Sequence, residues 1–558
     1  MNSRWLAYSF ALVGLMSFGY ACKDGGDGGA FIMVLETSPV DERTDVQVET
    51  RIGFRINASI DPATLTDETF FVTDSEGTRV RGALTIDDEQ PDTALLDPDD
   101  PLSVVTDFTA TITTGLTSSS GATLEKDFEW RFTTLDSEWG TSGWLEQINT
   151  GSSSGQQIAV DGQSNALAVW EYEEPTGTSI WANHYTRVRL WEEPETIDTG
   201  NGGATDPEVA ADGAGNGFAV WRESQNEGNI WTNRYDVDQG AWGTAELLQN
   251  GEVTAAQNPS IAADAAGNAI AIWFQQDMFM NVVMWANRYD AAGDGWGTAR
   301  SIDATASSSI GLVTAVGMDG AGNAIAIWTR PAVPGDVIWA NRYTSSGWGT
   351  AEMIKKDGTT DALGVRLDVG ANGDAFVVWV QNEDTRQDIY GTRFSGSSWS
   401  EEPERIDTHP GNTIQPDVAV DGMGITHVVW SQSDPDFRNI WARQYTPGPG
   451  WGTPELIEPP NPDPTEDDNA EFPRVEVNTA GNAFVVWRQT FDDWGSIWSN
   501  RLDPEEMGWM PMRAERIEDI TRAARAPEIV VDENRHAHAV WLHNIDQGID
   551  WIRTNRFE

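Results

Sequence analysis

The sequence contains one cysteine, Cys22, among 558 residues, so no disulfide bond can form within the chain. Lysine is almost as rare, with four residues at positions 23, 126, 355 and 356. The 35 basic residues are outnumbered by 88 acidic ones, and a net charge of −53 opposes binding to nucleic acid or to anionic lipid. HExxH, P-loop, GxSxG and paired-cysteine motifs are all absent. These absences leave no familiar catalytic or metal-binding motif, and they argue against a nucleic-acid partner.

The acidity is spread along the chain and keeps a protein soluble and monomeric, whether it is an ordinary secreted protein or one adapted to saline surroundings. Two acidic loops, residues 97–100 and 466–468, offer oxygen ligands for calcium. Neither loop has the spacing of a calcium-binding loop, which favours solvated turns. We therefore expect a monomer without a cofactor, with calcium left open as the alternative.

One apolar run lies at the amino terminus, where Arg4 precedes residues 5–16, which are apolar apart from Ser9. A charged start followed by an apolar middle predicts a secretory signal over residues 1–21. The run is too short and too poorly flanked for a membrane-spanning helix. The sequence therefore predicts an exported protein.

Residues 19–22, Gly-Tyr-Ala-Cys, resemble a bacterial lipobox. The resemblance implies that Cys22 is lipidated and becomes the first residue of a lipoprotein at the bacterial outer membrane or cell surface. Gly19 stands where that motif usually carries an aliphatic residue, and simple cleavage after Ala21, leaving a free thiol, is the alternative. The glycine-rich stretch 22–33 then predicts a flexible tether.

Residues 34–135 show short alternating apolar runs separated by polar turns, which predicts a β-sandwich. The predicted strands are residues 52–56, 70–72, 80–84, 108–112 and 128–132.

This segment resembles the bacterial Ig-like domain of the type found in S-layer protein SbsA. The matching pieces, in order, are residues 38–41, Phe54, 60–65, 108–112, 116–121 and 128–134. Glu42 departs from the glycine usual in that family, which concerns only the first turn. The resemblance implies a spacer or adhesive module without catalytic residues.

Residues 136–558 contain a sequence repeated eight times, of which residues 212–221, Asp-Gly-Ala-Gly-Asn-Gly-Phe-Ala-Val-Trp, are typical. The closing tryptophans are 51 to 57 residues apart, at Trp170, Trp221, Trp273, Trp328, Trp379, Trp430, Trp487 and Trp541. Such a period indicates an array, a solenoid or a propeller. The glycine-asparagine turn between apolar runs predicts a β-hairpin, and the uniformly apolar run before tryptophan predicts a strand buried on both faces.

Each repeat supplies four strand signals, the content of one propeller blade. The third is typified by residues 230–235 and the fourth by residues 242–248, while proline in five repeats is placed to begin the first strand. The last repeat lacks its fourth signal, which appears instead at residues 139–148. Pairing of that segment with the last repeat would close a ring. The prediction is an all-β chain, an Ig-like β-sandwich followed by an eight-bladed β-propeller, with seven blades or an open array as alternatives.

Three residue classes are candidates for a site. Of the 27 tryptophans, 21 fall in three fixed repeat positions and are therefore interpreted as core, whereas Trp494 and Trp551 are surface candidates. His536 and His538 are two residues apart and predict a metal pair if they share a strand face. However, His427 and His538 occupy a repeat position filled elsewhere by Leu and Phe, which favours core. An Asn-Arg pair recurs in the third strand, and this repetition indicates a structural role in the scaffold rather than a binding site.

No catalytic pair of carboxylates can be singled out, because carboxylates are so numerous. The favoured interpretation is a lipid-anchored envelope protein whose propeller binds an unidentified protein or glycan without chemistry. The alternative is a carbohydrate-active enzyme, because the hairpin motif loosely resembles that of sialidase-like propellers. A structural component of the envelope or matrix is a third interpretation.

Overall fold

The computed structural model describes residues 31–558 apart from 47–49, 76, 88–89, 99–101, 103–105, 135–137, 147–150, 176, 188, 201–202, 225–227, 250–253, 277–280, 294, 304–310, 312, 334, 356–359, 384–385, 434–436, 460–468, 492–493, 503, 505–507, 510, 519–522 and 547. The chain divides into two compact units, Met1–Ser137 and Glu138–Glu558. The described residues form strands and two short 3-10 turns, Pro62–Thr64 and Pro511–Arg513. No helix among them is long and apolar enough to cross a membrane. The predicted signal and Cys22 lie outside the described residues.

The first unit is a sandwich of two four-stranded sheets. One sheet has the order β1 (Val34–Ser38), β3 (Ile52–Ile56), β6 (Thr93–Pro98), β5 (Gly82–Ile86). The other has the order β2 (Arg43–Val46), β8 (Phe128–Thr134), β7 (Asp107–Ile112), β4 (Phe70–Thr73). Inward residues alternate with outward ones along β8, and Trp130 stacks on Phe70 with ring centroids 6.0 Å apart. Aromatic and aliphatic residues of both sheets form the core, as the predicted sandwich requires.

The sandwich differs in detail from the sequence-based prediction. The predicted strand 80–84 lies at Gly82–Ile86, and strands β1, β2 and β6 had not been predicted. Ile32 is 3% exposed, and its N–H donates to the carbonyl of Thr123 at 3.1 Å. The folded unit therefore begins before residue 34, and the predicted tether over 22–33 must end before Ile32.

The first acidic loop is in part a strand, because Asp97 and Pro98 end β6 and Asp97 pairs with Arg51 at 2.8 Å. Residues 99–100 and the second loop, 466–468, lie outside the described residues. The first turn keeps the shape expected with glycine, since Glu42 has φ 60° and its N–H donates to the carbonyl of Arg131 at 2.7 Å.

In the described part of the second unit, eight separate sheets follow one another along the chain. Their inner strands are β10 (Ser152–Val160), β15 (Ala204–Ala211), β20 (Thr254–Ala263), β25 (Thr314–Met318), β30 (Ala362–Val369), β35 (Thr413–Val420), β40 (Asn469–Val477) and β44 (Ala524–Val531). The second strands are β11 (Ala166–Glu174), β16 (Gly217–Glu223), β21 (Ala269–Gln276), β26 (Ala324–Arg330), β31 (Ala375–Glu383), β36 (Thr426–Ser433), β41 (Ala483–Phe491) and β45 (Ala537–Asp546). This is the arrangement of a β-propeller.

The third strands continue each sheet outward. They are β12 (Gly177–Thr186), β17 (Asn229–Asp236), β22 (Val282–Asp290), β27 (Val337–Thr344), β32 (Arg386–Ser395), β37 (Arg438–Thr446), β42 (Trp494–Leu502) and β46 (Ile549–Phe557). The outermost pieces are β9 (Gly143–Trp144), β13 (Leu190–Trp191), β14 (Glu195–Thr196), β18 (Ala241–Trp242), β19 (Glu246–Leu247), β23 (Gly295–Trp296), β24 (Arg300–Ser301), β28 (Gly347–Trp348), β29 (Glu352–Lys355), β33 (Ser398–Trp399), β34 (Glu404–Arg405), β38 (Gly450–Trp451), β39 (Glu455–Leu456) and β43 (Glu515–Arg516).

The fourth strand is interrupted, contrary to the single strand predicted over 242–248. Both β18 and β19 pair with β17, but the residues between them leave the ladder. The side-chain amide of Asn233 fills the gap, donating to the carbonyl of Gly243 at 3.2 Å and to that of Ile197 in the preceding sheet at 3.0 Å. The recurring asparagine is therefore scaffold, as predicted, and it ties neighbouring sheets together.

The ring closes between the two ends of the unit. Strand β9 pairs with β46, so the segment before the first sheet completes the last one, as the missing signal predicted. Trp139 forms an isolated bridge with Phe557, and the N–H of Asp550 donates to the hydroxyl of Ser152 in the first sheet at 3.0 Å. This closure leaves no open sheet edge between the last and first sheets.

The eight closing tryptophans are each 0% exposed and lie on the second strands. Trp273 shows their environment, because it packs with Phe218, Val220 and Ile230 of the preceding sheet. Its indole N–H donates to Oε1 of Gln275 at 2.9 Å. Both faces of the second strands are buried, as the uniformly apolar sequence predicted.

The repeated hairpin motif is satisfied within the scaffold. One carboxylate oxygen of Asp212 accepts the N–H groups of Ala214 at 2.9 Å and Asn216 at 2.8 Å, and the other accepts the Asn216 amide at 2.8 Å. Gly215 has φ 101°, and a Cβ there would lie 3.0 Å from the carboxylate of Asp161 in the preceding repeat. The motif is thus a turn that also packs repeats against each other.

The sequence predicted that the repeated proline begins the first strand, and this prediction is wrong. The proline lies inside the inner strand at a β-bulge, for example between Thr205 and Glu208, where the pairing register shifts. The residue before this position has a positive φ of 49° to 59° in seven repeats, five of which carry the proline: Gly155, Asp206, Asn258, Gly364, Gln415, Phe472 and Ala526. Seven of the eight inner strands carry this bulge, whereas the described part of β25 pairs without a register shift.

Candidate functional site

The candidate site is formed by two positions of the inner strands, 13 and 11 residues before each buried tryptophan. At the first position the eight repeats carry Gln157, Glu208, Ser260, Ala315, Arg366, Asp417, Arg474 and Glu528. At the second they carry Ala159, Ala210, Ala262, Gly317, Asp368, Ala419, Glu476 and Val530. In a repeat that is otherwise uniform, these positions vary from alanine to charged residues.

The charged members converge in the channel at the centre of the ring. Arg366 of the fifth sheet and Glu528 of the eighth both act electrostatically on Glu208 of the second. Asp368 of the fifth sheet acts on Glu476 of the seventh. Since these sheets are not neighbours in the ring, these charges act on one another across the channel. We call Glu208, Arg366, Asp368, Asp417, Arg474, Glu476 and Glu528 the channel cluster.

The channel has two unlike walls. Six of the seven charged residues come from the fifth to eighth sheets, whereas the first, third and fourth sheets contribute only neutral residues at these positions. Four of those neutral residues are alanine or glycine, namely Ala159 in the first sheet, Ala262 in the third, and Ala315 and Gly317 in the fourth. The side chains of this small wall are shorter than those of the charged wall.

Two ion pairs fix the charged wall. Arg474 donates through Nε to both carboxylate oxygens of Glu528, at 3.0 and 3.1 Å. Arg366 lies 3.5 Å from Asp417, whose other oxygen accepts the N–H of Val475 at 3.0 Å. These pairs link the fifth sheet to the sixth and the seventh to the eighth, so the wall is held from both sides.

Three carboxyl groups of the cluster have no arginine within ion-pairing distance, and their pKa values are raised. Burial raises the pKa of Glu208 to about 8, and Glu528 acts in the same direction. Burial and the charges of Asp368, Asp417 and Glu528 raise the pKa of Glu476 well above its usual range. Burial also raises the pKa of Asp368 to about 6, although its carboxylate accepts the N–H of Val420 at 2.6 Å. Shifted carboxyl pKa values in one cleft are typical of functional sites.

An apolar rim adjoins the charged wall. Leu363, Ile414 and Phe472 lie in the fifth, sixth and seventh sheets, two or three residues before the channel cluster. Leu363 is 36% exposed and Phe472 is 37% exposed. In the first three sheets the corresponding residues are Ser154, Thr205, Gln257, Gly155, Asp206 and Asn258. The first three sheets therefore have no apolar residue at these positions, while the fourth carries Val313 at the position equivalent to Phe472.

Phe472 occupies the bulge position, with φ 57°, and its N–H donates to Oε1 of Gln415 in the preceding sheet at 2.8 Å. A bulky side chain rarely adopts this backbone conformation, and glycine takes the same position in the first and fifth repeats. An exposed phenylalanine adds little to a core. Strain of this kind accumulates at functional positions.

The histidines that the sequence singled out are structural. His427 is 2% exposed and His538 is 1% exposed, and burial lowers their pKa values to about 4 and about 3. His536 does not share a strand face with His538, because it lies in the hairpin turn before β45. There its Nδ1 is 2.7 Å from Asp532, in the place of the usual asparagine. Among the described residues no group of three or more His, Cys, Asp or Glu is arranged to hold a metal ion.

The other candidates also belong to the scaffold. The third-strand arginines are spread around the ring, with Arg288 over the ring of Tyr343 at 5.9 Å and Arg342 over that of Phe394 at 5.2 Å. Trp551 is half-buried and meets Trp144 edge-on, with centroids 5.4 Å apart. The side chain of Trp494 is outside the described residues. Sequence analysis missed the channel cluster, although aligning the repeats shows charged residues replacing small ones there.

The sequence of the first unit matches one family model, described as bacterial Ig-like domain, over residues 31–134. This segment is a bacterial Ig-like domain. The match begins at the residue next to buried Ile32, in agreement with the sandwich. The more specific resemblance to S-layer protein SbsA stays a prediction. No curated protein matches the full sequence significantly.

Solved structures resemble the chain at low identity. A protein of unknown function from Dyadobacter fermentans is 9% identical, with a TM-score of 0.39, over 76% of this chain and 99% of its own. The β-propeller domain of the trilobed protease from Pyrococcus furiosus is 9% identical, with a TM-score of 0.37, over 66% and 99%. A Hadza microbial sialidase is 8% identical, with a TM-score of 0.33, over 82% and 96%. These likenesses say nothing about ligand or reaction.

Proposed function

We propose that this protein is exported and held at the cell envelope, where its propeller binds a protein or glycan in the central channel without transforming it. The observation that carries this proposal is the convergence of the channel cluster. Every other repeated polar position considered above is used within the scaffold, whereas Glu476 lies opposite the small residues of the third sheet and Glu208 lies opposite the charged wall. The Ig-like domain then serves as a spacer between the envelope and the propeller.

The geometry favours binding over chemistry because the two arginines are already engaged. Arg474 and Arg366 neutralise Glu528 and Asp417, so they form a fixed polar wall rather than free groups that could act on a bond. A wall fixed from both sides can orient a ligand at small entropic cost.

A glycan-cleaving enzyme is the second candidate, and one observation favours it. With a pKa of about 8, Glu208 keeps its proton at neutral pH, as a general acid must. Glycoside hydrolysis also needs a second carboxylate as base or nucleophile, and Glu528, which acts electrostatically on Glu208 and is paired with Arg474, is the candidate.

The proposal is tested by probing the full chain against glycan and protein arrays, with Glu476→Ala as the matched variant. Alanine occupies this position in four other repeats, so the variant should fold. We expect a ligand that the wild type retains and the variant loses. Binding that survives the substitution, or the absence of any bound ligand, would refute the channel as the binding site. New reducing ends released from a bound glycan would favour the enzyme instead.

The envelope anchor gives a separate prediction. Replacing Cys22 with serine should move the protein from the membrane fraction to the soluble fraction, because lipidation requires the thiol. Immunoblotting of the two fractions measures the shift. Gly19→Leu, which restores the aliphatic residue usual in a lipobox, is the matched control and should keep the protein in the membrane fraction. Membrane retention of Cys22→Ser would rule out the lipid anchor.

A further inference from the structure

The charge balance of the channel indicates which ligand chemistry it accepts. Five carboxylates and two arginines form the channel cluster, and both arginines are ion-paired. Among the described residues, Glu208, Asp368 and Glu476 have no basic side chain within ion-pairing distance, and their site is partly desolvated. Carboxylates in such surroundings either hold protons or take up a cation. A positively charged ligand group satisfies them, and an anionic one would be repelled.

The apolar rim indicates what must surround that cation. Leu363, Ile414 and Phe472 lie on three neighbouring inner strands, beside the carboxylates of the same sheets. Phe472 in particular is exposed in a strained conformation without contributing to a core. An aromatic ring can face a cation, and an aliphatic side chain can cover the methylene groups of a lysine or arginine. A metal ion would explain neither feature, because it would bind the carboxylate oxygens and not the apolar side chains.

We propose that the channel mouth docks a basic segment of a protein partner, inserting a lysine or arginine side chain between the apolar rim and Glu476. This proposal rests on the proposed function, since it names the ligand class of the same channel. The choice of a protein follows from the three-sheet width of the rim and from charge complementarity. A chain with a net charge of −53 attracts basic proteins from a distance.

The test uses the full chain and a labelled acetyl-Leu-Arg-Phe-amide peptide in fluorescence polarisation at 150 and 500 mM NaCl. A peptide with citrulline in place of arginine has nearly the same shape without the charge. We expect the arginine peptide to bind at least tenfold more tightly, and to retain binding at 500 mM NaCl, where long-range attraction is screened. Equal affinity for the two peptides would overturn the proposal.

Two variants are provided by the repeat itself. Glu476→Ala and Phe472→Gly each introduce the residue found at the same position in other repeats, so both should fold. We expect at least tenfold weaker peptide binding for Glu476→Ala and at least threefold for Phe472→Gly. The exposed Glu401, outside the channel, is the control, and Glu401→Ala should change the affinity less than twofold. Unchanged binding in both channel variants would refute the site.

Two further outcomes separate this inference from the proposed function. If spermidine competes fully and Phe472→Gly has no effect, the ligand is a small organic cation and the protein partner is refuted. If neither peptide binds but an array glycan does, and Glu476→Ala abolishes that binding, only the ligand class is wrong. If no probe and no array ligand binds, both proposals fail.

Discussion

Replacing Trp273 with alanine should lower the free energy of unfolding of the propeller by about 3–5 kcal/mol. The indole is 0% exposed and packs against Phe218, Val220 and Ile230 of the preceding sheet, so its removal leaves a cavity between two blades. The substitution also leaves Oε1 of Gln275 without the indole N–H that it now accepts. Guanidinium unfolding followed by far-UV circular dichroism would measure the loss.

The matched control is a tryptophan that the repeat does not require. Trp144 is 38% exposed on strand β9, opposite Arg553, and leucine holds the equivalent position at Leu247 and Leu456. Trp144→Leu should therefore cost less than about 1 kcal/mol. If both substitutions lowered stability equally, the buried tryptophans would not be the principal packing residues between blades.

The repeat could be predicted from sequence because each of its signals is local. An aspartate followed four residues later by asparagine makes a turn through its own carboxylate, as Asp212 and Asn216 do. The apolar run before Trp221 can only be a strand buried on both faces. Ring closure was also predictable, because the missing fourth-strand signal at one end has its counterpart at the other.

The features that were not predicted depend on contacts between strands. Nothing in the sequence around Phe472 shows that the residue before proline has a positive φ, since the bulge exists only in the paired strand. The interrupted fourth strand depends on where the Asn233 amide reaches. His536 was considered as one of a possible metal pair, although a place in the core was favoured, because strand boundaries are uncertain by a residue or more; here it lies just outside the strand.

The channel cluster was beyond sequence analysis for a related reason. Glu208 and Arg366 belong to the second and fifth repeats, and only the closed ring places them across one channel. Aligning the repeats reveals that charge replaces alanine at these positions, but not that the charges face each other. Scaffold in a propeller is thus encoded within each repeat, whereas the site is encoded by differences among distant repeats.

Glu208, one of the residues that differ among the repeats, should make the propeller less stable as the pH rises. The pKa of Glu208 is about 8 in the folded protein, against 4.5 for an ordinary glutamate. Between these values the unfolded chain has released this proton while the folded protein keeps it, so unfolding becomes more favourable as the pH increases. Below pH 4.5 both states are protonated, and above pH 8 both are ionised, so the contribution of Glu208 is constant outside this window.

Glu208→Gln should remove this effect, because glutamine cannot ionise and already occupies the same position as Gln157 in the first repeat. At about 1.4 kcal/mol per pKa unit the full displacement would amount to about 5 kcal/mol, but the carboxyl is only half-buried. We therefore expect the variant to exceed the wild type in free energy of unfolding by about 2 kcal/mol at pH 9, and to match it near pH 4.5.

Urea unfolding at pH 4.5, 7 and 9 in 0.5 M NaCl would follow the difference between the two proteins while screening the charge of −53. The variant must be compared with the wild type at each pH, because other groups change the free energy of unfolding in the opposite direction as the pH rises. Asp532, whose pKa is lowered chiefly by its hydrogen bond to His536 against the effect of burial, adds stability as the pH rises. Glu401→Gln, at an exposed position, should show no pH-dependent difference from wild type. An equal gain from Glu208→Gln at all three pH values would mean that Glu208 is ionised throughout, and that water reaches its carboxyl group in the folded channel.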